Sequence, residues 1–77
     1  MTDDKFQVFQ FFEDGSYELV RPWCHTDEAM RVALHYCTSV GAKLGITKRV
    51  IVVDNGDCIA FEWKFGEGVV FPIKNQL

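Results

Sequence analysis

RVIVVDNGDCIAFEWKF, residues 49–65, reads as two strands folded back on each other. Val50 to Val53 are all β-branched, which suits a pleated, half-buried surface. The second half alternates strictly, with Ile59, Phe61, Trp63 and Phe65 on one side and Cys58, Ala60, Glu62 and Lys64 on the other. Between them lies Asp54-Asn55-Gly56-Asp57, and Asn-Gly is the preferred pair for a two-residue hairpin turn. That turn would set Arg49 opposite Glu62 as an ion pair.

Upstream, a second hairpin is expected. Residues 5–12 (KFQVFQFF) and 16–20 (SYELV) flank Glu13-Asp14-Gly15-Ser16, where Asp-Gly again suits a two-residue turn. The register that follows places Phe12 opposite Tyr17, Phe11 opposite Glu18, Gln10 opposite Leu19 and Phe9 opposite Val20. Pro22 is expected to break the strand. Thr26 is placed to cap a helix whose first turn carries Asp27 and Glu28, where negative charge suits the dipole. From residue 27 to about 43, Met30, Ala33, Cys37, Val40 and Leu44 recur at helical spacing, with Cys37 near the centre of the stripe and His35 opposite. Gly45 is the expected C′ residue. Downstream, Gly66-Glu67-Gly68 turns the chain into a short strand at 69–71, ended by Pro72.

The order ββαβββ makes an α+β fold of one small domain over residues 1–77, ordered from about 5 to 73, with frayed ends. Strand directions allow an antiparallel five-stranded sheet of order 2-1-3-4-5 or 2-1-5-4-3, with one helix packed on one face. Both faces are apolar. The first hairpin is expected to carry Phe6, Val8, Phe12, Tyr17 and Leu19 on one face and Phe9, Phe11 and Val20 on the other. The second carries Val50, Val52, Ile59, Phe61 and Trp63 against Ile51, Val53, Cys58 and Ala60. A single helix leaves one face uncovered, and apolar patches of that size mark interfaces. The interface candidates are Phe9, Phe11 and Val20 with Ile51 and Val53, or Phe61 and Trp63. Glu18, Arg49 and Glu62 fall on the first-named side. The expected partner is a second copy or another protein.

Composition narrows the chemistry. Eight basic and eleven acidic residues give a net charge of −3, which repels phosphate and makes nucleic acid an unexpected partner. No apolar run reaches the roughly 18 residues of a membrane span, and no signal-peptide pattern opens the chain, so neither a membrane nor secretion is expected. Three cysteines, an odd number, suit free thiols in the cytoplasm.

Cys24-His25 and His35-x-Cys37 hold metal-ligand residue types, but helical neighbours two apart diverge, and no metal is expected. Cys37 and Cys58 read as small buried hydrophobes. Cys24 is the possible reactive thiol, since it precedes a helix N-terminus beside His25, although Asp27 and Glu28 oppose a thiolate there. Otherwise it is a loop cysteine under Trp23. Asp14, Asp54 and Asp57 suit turn hydrogen bonding. Gly66-x-Gly68 lacks the lysine and helix of a phosphate loop. No catalytic residue and no cofactor is assigned.

Glu13-Asp14-Gly15-Ser16-Tyr17, then Pro22, Cys24, Thr26, Glu28 and Ala29, resembles the opening of HicB-type antitoxin domains. Those have an acidic-Gly-Tyr hairpin, a loop with Pro and Gly-Cys, and a Thr-x-Glu-Ala helix start. The loop glycines are missing here, and the strands after the helix have no counterpart. The resemblance implies a subunit that masks a partner protein. Three functions are thus in view: a non-enzymatic module that self-associates through its sheet, an antitoxin-like subunit, or a small thiol or ligand-binding enzyme centred on Cys24 and His25.

Overall fold

A computed structural model describes residues 5–72, so the expected frayed ends at 1–4 and 74–77 lie outside the described residues. The elements are β1 (Phe6–Phe12), β2 (Tyr17–Cys24), α1 (Thr26–Cys37), α2 (Val40–Lys43), β3 (Thr47–Asp54), β4 (Ile59–Lys64) and β5 (Gly68–Phe71). All five strands form one antiparallel sheet of order β2-β1-β3-β4-β5, the first of the two expected orders. α1 packs on one face, over Val8, Val50, Val52 and Phe61, through Ala29, Ala33 and Cys37. Small residues on the helix let it lie close to branched strand residues, which is how a core this size reaches close packing.

Both long hairpins turn differently from expectation. Phe12 N–H donates to Ser16 O, and Gly15 N–H donates to Phe12 O, so the loop has three residues, Glu13 to Gly15. Gly15 takes φ +91° at the left-handed third position. This is a turn followed by a glycine bulge, the common three-residue solution. The extra residue shifts the pairing by one. Phe11 lies opposite Tyr17, Gln10 opposite Glu18 and Phe9 opposite Leu19. Asp14 Oδ1 accepts from Ser16 N–H and Oγ–H at 2.9 and 2.6 Å, and these bonds hold its carboxyl below the usual range. The β3–β4 turn repeats the geometry with Asn55, Gly56 and Asp57, and here Asp57 takes the positive φ, +65°. The longer loop and a further register shift between Val52 and Val53 together place Arg49 opposite Lys64 rather than Glu62, and Ile51 opposite Glu62. The Arg49–Glu62 ion pair still forms, on the diagonal, with Nε donating to Oε2 at 2.6 Å.

β2 runs through Pro22 to Cys24 instead of breaking. It is an edge strand, where a missing N–H leaves no ladder bond unmade, and register shifts near Val8 absorb the irregularity. The helix starts one residue early: His25 is the N-cap, with no side-chain capping bond, and Thr26 is the first helical residue. It also ends early. Thr38 Oγ1–H donates to Leu34 O, and Ser39 Oγ–H donates to Tyr36 O, so these hydroxyls compete with the helix ladder. Ser39 then caps the short α2 by accepting Ala42 N–H at 3.2 Å. The phase lost at this break takes Val40 and Leu44 off the core stripe and into solvent, 71% and 70% exposed. Gly45 is the C′ residue as expected, at φ +82°. Ile46 N–H reaches Gly41 O and Gly45 N–H reaches Ala42 O, the two bonds of a Schellman cap.

One polar chain crosses three strands on the helix side. Thr47 Oγ1–H donates to Gln10 Oε1 at 2.8 Å, and Gln10 Nε2 donates to Glu18 Oε1 at 2.9 Å. Gln10 and Thr47 are buried, and each is satisfied by the other.

Candidate functional site: the open face of the sheet

Among the described residues, no element covers the face opposite α1. The corrected register organises that face into rows. Leu19, Phe9, Ile51, Glu62 and Phe71 are successive direct partners from β2 to β5, crossing the whole sheet. Beside them run Tyr17, Phe11, Arg49 and Lys64. Tyr17 packs edge-on to Phe9 with ring centroids 5.9 Å apart, and tilted against Phe11 at 5.4 Å. The Arg49 guanidinium lies over the Phe11 ring, 5.0 Å from its centroid. Ion pair and ring contact together hold Arg49 flat across the face, its charge balanced by the half-buried Glu62. The result is a largely apolar surface with one neutralised charge pair near its middle and the exposed Lys64 at the end of the second row. Tyr17 remains 64% exposed and Leu19 42%, while central Ile51 is nearly covered by its neighbours.

The structure thus separates the two sets of interface candidates. Phe9, Phe11, Ile51 and Val53 lie on the open side, since they alternate with Val8, Gln10, Val50 and Val52. Phe61 and Trp63 lie under the helix, Phe61 buried in the core and Trp63 packed against it. Val20 also packs against the helix-side core, not with Phe9 and Phe11. Glu18 pairs with Gln10 and so leaves the open side as well. Sequence reasoning missed Tyr17 and Leu19, which the bulge moves onto this face, and Phe71, which extends it to β5. Gly15 was the available signal: Glu-Asp-Gly fits a three-residue loop ending in a left-handed glycine.

The other candidates are dispersed. Cys24 is the last residue of β2, buried, with its thiol directed at Phe6 O at 3.6 Å. Burial first, then Glu28, pushes its pKa up, against the lowering effect of Arg21. That is the reverse of an activated thiolate. His25 is exposed at the helix cap. Cys37 is buried as expected, and burial raises its thiol from 9.0 to about 12. Cys58 departs from expectation: it is exposed, because the three-residue loop carries it into the turn. Asp54 does serve its turn, its Oδ1 accepting Gly56 N–H at 2.8 Å and Cys58 N–H at 3.0 Å. Among the described residues, no three His, Cys, Asp or Glu side chains gather as a metal site, and no helix is long and apolar enough to cross a membrane.

No protein family, no curated protein and no solved structure matches this chain. The likeness of residues 13–29 to the opening of HicB-type domains rests on the quoted residues alone.

Proposed function

We propose that the protein is a small, cytoplasmic, non-enzymatic interaction module that associates with a second copy of itself through the open face of its sheet. The supporting observation is the unbroken row Leu19, Phe9, Ile51, Glu62 and Phe71, flanked by Tyr17, Phe11, Arg49 and Lys64, with nothing packed above it among the described residues. Edge pairing is a poorer route. β2 carries Pro22 and register shifts, and β5 has only four residues, both common ways of blunting a sheet edge. Face-to-face stacking needs neither edge. Strands about 4.8 Å apart and seven residues long present on the order of 500 Å² in projection. Two such faces approach the roughly 1,000 Å² at which specific association begins.

Sedimentation velocity over a concentration series tests the reading. The wild-type chain is expected to shift from monomer to dimer in the micromolar range, and Phe11→Glu to stay monomeric with an unchanged circular dichroism spectrum. A wild-type chain that remains monomeric at high micromolar concentration overturns self-association. If that monomer instead co-purifies with one protein from its host, and Phe11→Glu abolishes the complex, the antitoxin-like reading replaces it.

A further inference from the structure

Gly56 has no conformational reason to be glycine. The expected turn would have put it at positive φ, yet the left-handed position belongs to Asp57. A Cβ built on Gly56 meets only Asp54 Oδ1, at 3.5 Å, an ordinary contact. What glycine does supply is an unhindered backbone amide directly after an exposed asparagine, at the tip of a hairpin. We propose that Asn55 is a site of spontaneous deamidation, with the Gly56 amide as the nucleophile.

The reaction needs no reagent beyond water. The Gly56 nitrogen bonds to Asn55 Cγ, the Cγ–Nδ2 bond breaks, and Nδ2 leaves as ammonia carrying the amide proton. Water then opens the resulting succinimide at either carbonyl, leaving aspartate or isoaspartate. No atom changes oxidation state. In the native turn the Gly56 N–H is held by Asp54 Oδ1 at 2.8 Å. That bond must open first, so the rate follows local opening of the tip, the kind of low-cost fluctuation expected of an exposed loop. The product places a new carboxylate between Asp54 and Asp57 and beside Lys5, which lines one shallow hollow with Asn55 and Trp23. Isoaspartate also adds a methylene to the loop backbone, which the hydrogen bond from Asp57 N–H to Asp54 O cannot accommodate unchanged. The Asp14-Gly15 pair of the other hairpin is a contrast: its carboxyl is held ionised by Ser16 and is a poor electrophile.

The test is incubation of the folded protein in mildly alkaline buffer, followed by peptide mass spectrometry and ion exchange. The expected result is replacement of NH2 by OH at Asn55 and a more acidic species. Gly56→Ala should melt at the same temperature and convert severalfold more slowly, because its Cβ crowds the attacking nitrogen. Conversion confined to Asn75 would overturn the proposal. So would a folded chain that stays intact at Asn55 while the denatured chain converts fully, or a Gly56→Ala rate equal to that of wild type.

Discussion

Cys37 illustrates how a helix phase becomes a measurable quantity. It belongs to the buried core cluster at the end of α1, while His35, two positions away, faces solvent. Cys37→Asp buries a carboxylate with no partner and should destabilise the fold by several kcal/mol or abolish it. His35→Asp should cost no more than about 1 kcal/mol, the scale of an unfavourable charge near a helix C-terminus. Thermal melts of the two variants check the difference. The same burial predicts a pH response. The folded thiol titrates near 12 and the unfolded one near its ordinary 9.0, so the unfolded chain releases its proton first. The stabilisation is complete below pH 9 and drains away as pH rises towards 12. Cys24 acts in the same direction. Urea titrations across that range should show falling stability for wild type and a shallower fall for Cys37→Ala.

The elements were largely legible, and the failures have local causes. Each strand was expected near its observed position, because alternation and β-branching are read directly from the residues. Register was not, because Asp-Gly and Asn-Gly fit two-residue and three-residue loops alike, and the choice turns on which residue becomes left-handed. At the first loop it is Gly15; at the second it is Asp57, a residue with a Cβ. The helix end was hidden for a different reason: Val40 and Leu44 keep helical spacing, and only the back-bonding of Thr38 and Ser39 breaks the phase. Gly45 was legible because a C′ glycine has a distinct role. Gly45→Ala would strain φ +82° and bring a Cβ to 3.2 Å from Phe65 Cζ. It should cost more than about 1 kcal/mol, measured by chemical denaturation. Gly56→Ala, at ordinary φ, serves as the inexpensive control.

At the level of the whole molecule, the sequence showed that one face must be uncovered but not which. Phe61 and Trp63 looked as suitable for the outside as Phe9 and Phe11, since both sets are apolar and aromatic. The choice depends on tertiary packing: small Ala29, Ala33 and Cys37 on α1 accept Phe61. The modest size of the open face sets the strength of the proposed dimer. A surface near the lower limit for specific interfaces suits micromolar rather than nanomolar dissociation. Burying the Arg49–Glu62 pair also gains little over leaving it in water. Association that responds to concentration is therefore expected.

The chain from Glu18 through Gln10 to Thr47 bears on how the protein avoids misfolding. Apolar strand residues are interchangeable partners: a sheet slipped by two positions still buries valine on phenylalanine and keeps each side chain on its proper face. Gln10 is not interchangeable. In a slipped pairing of β1 with β3 it would lose Thr47 and stand unsatisfied in the core, at about 1–3 kcal/mol for each orphaned group. One glutamine thus reads the alignment of three strands at once and penalises near-miss pairings that hydrophobicity alone would accept.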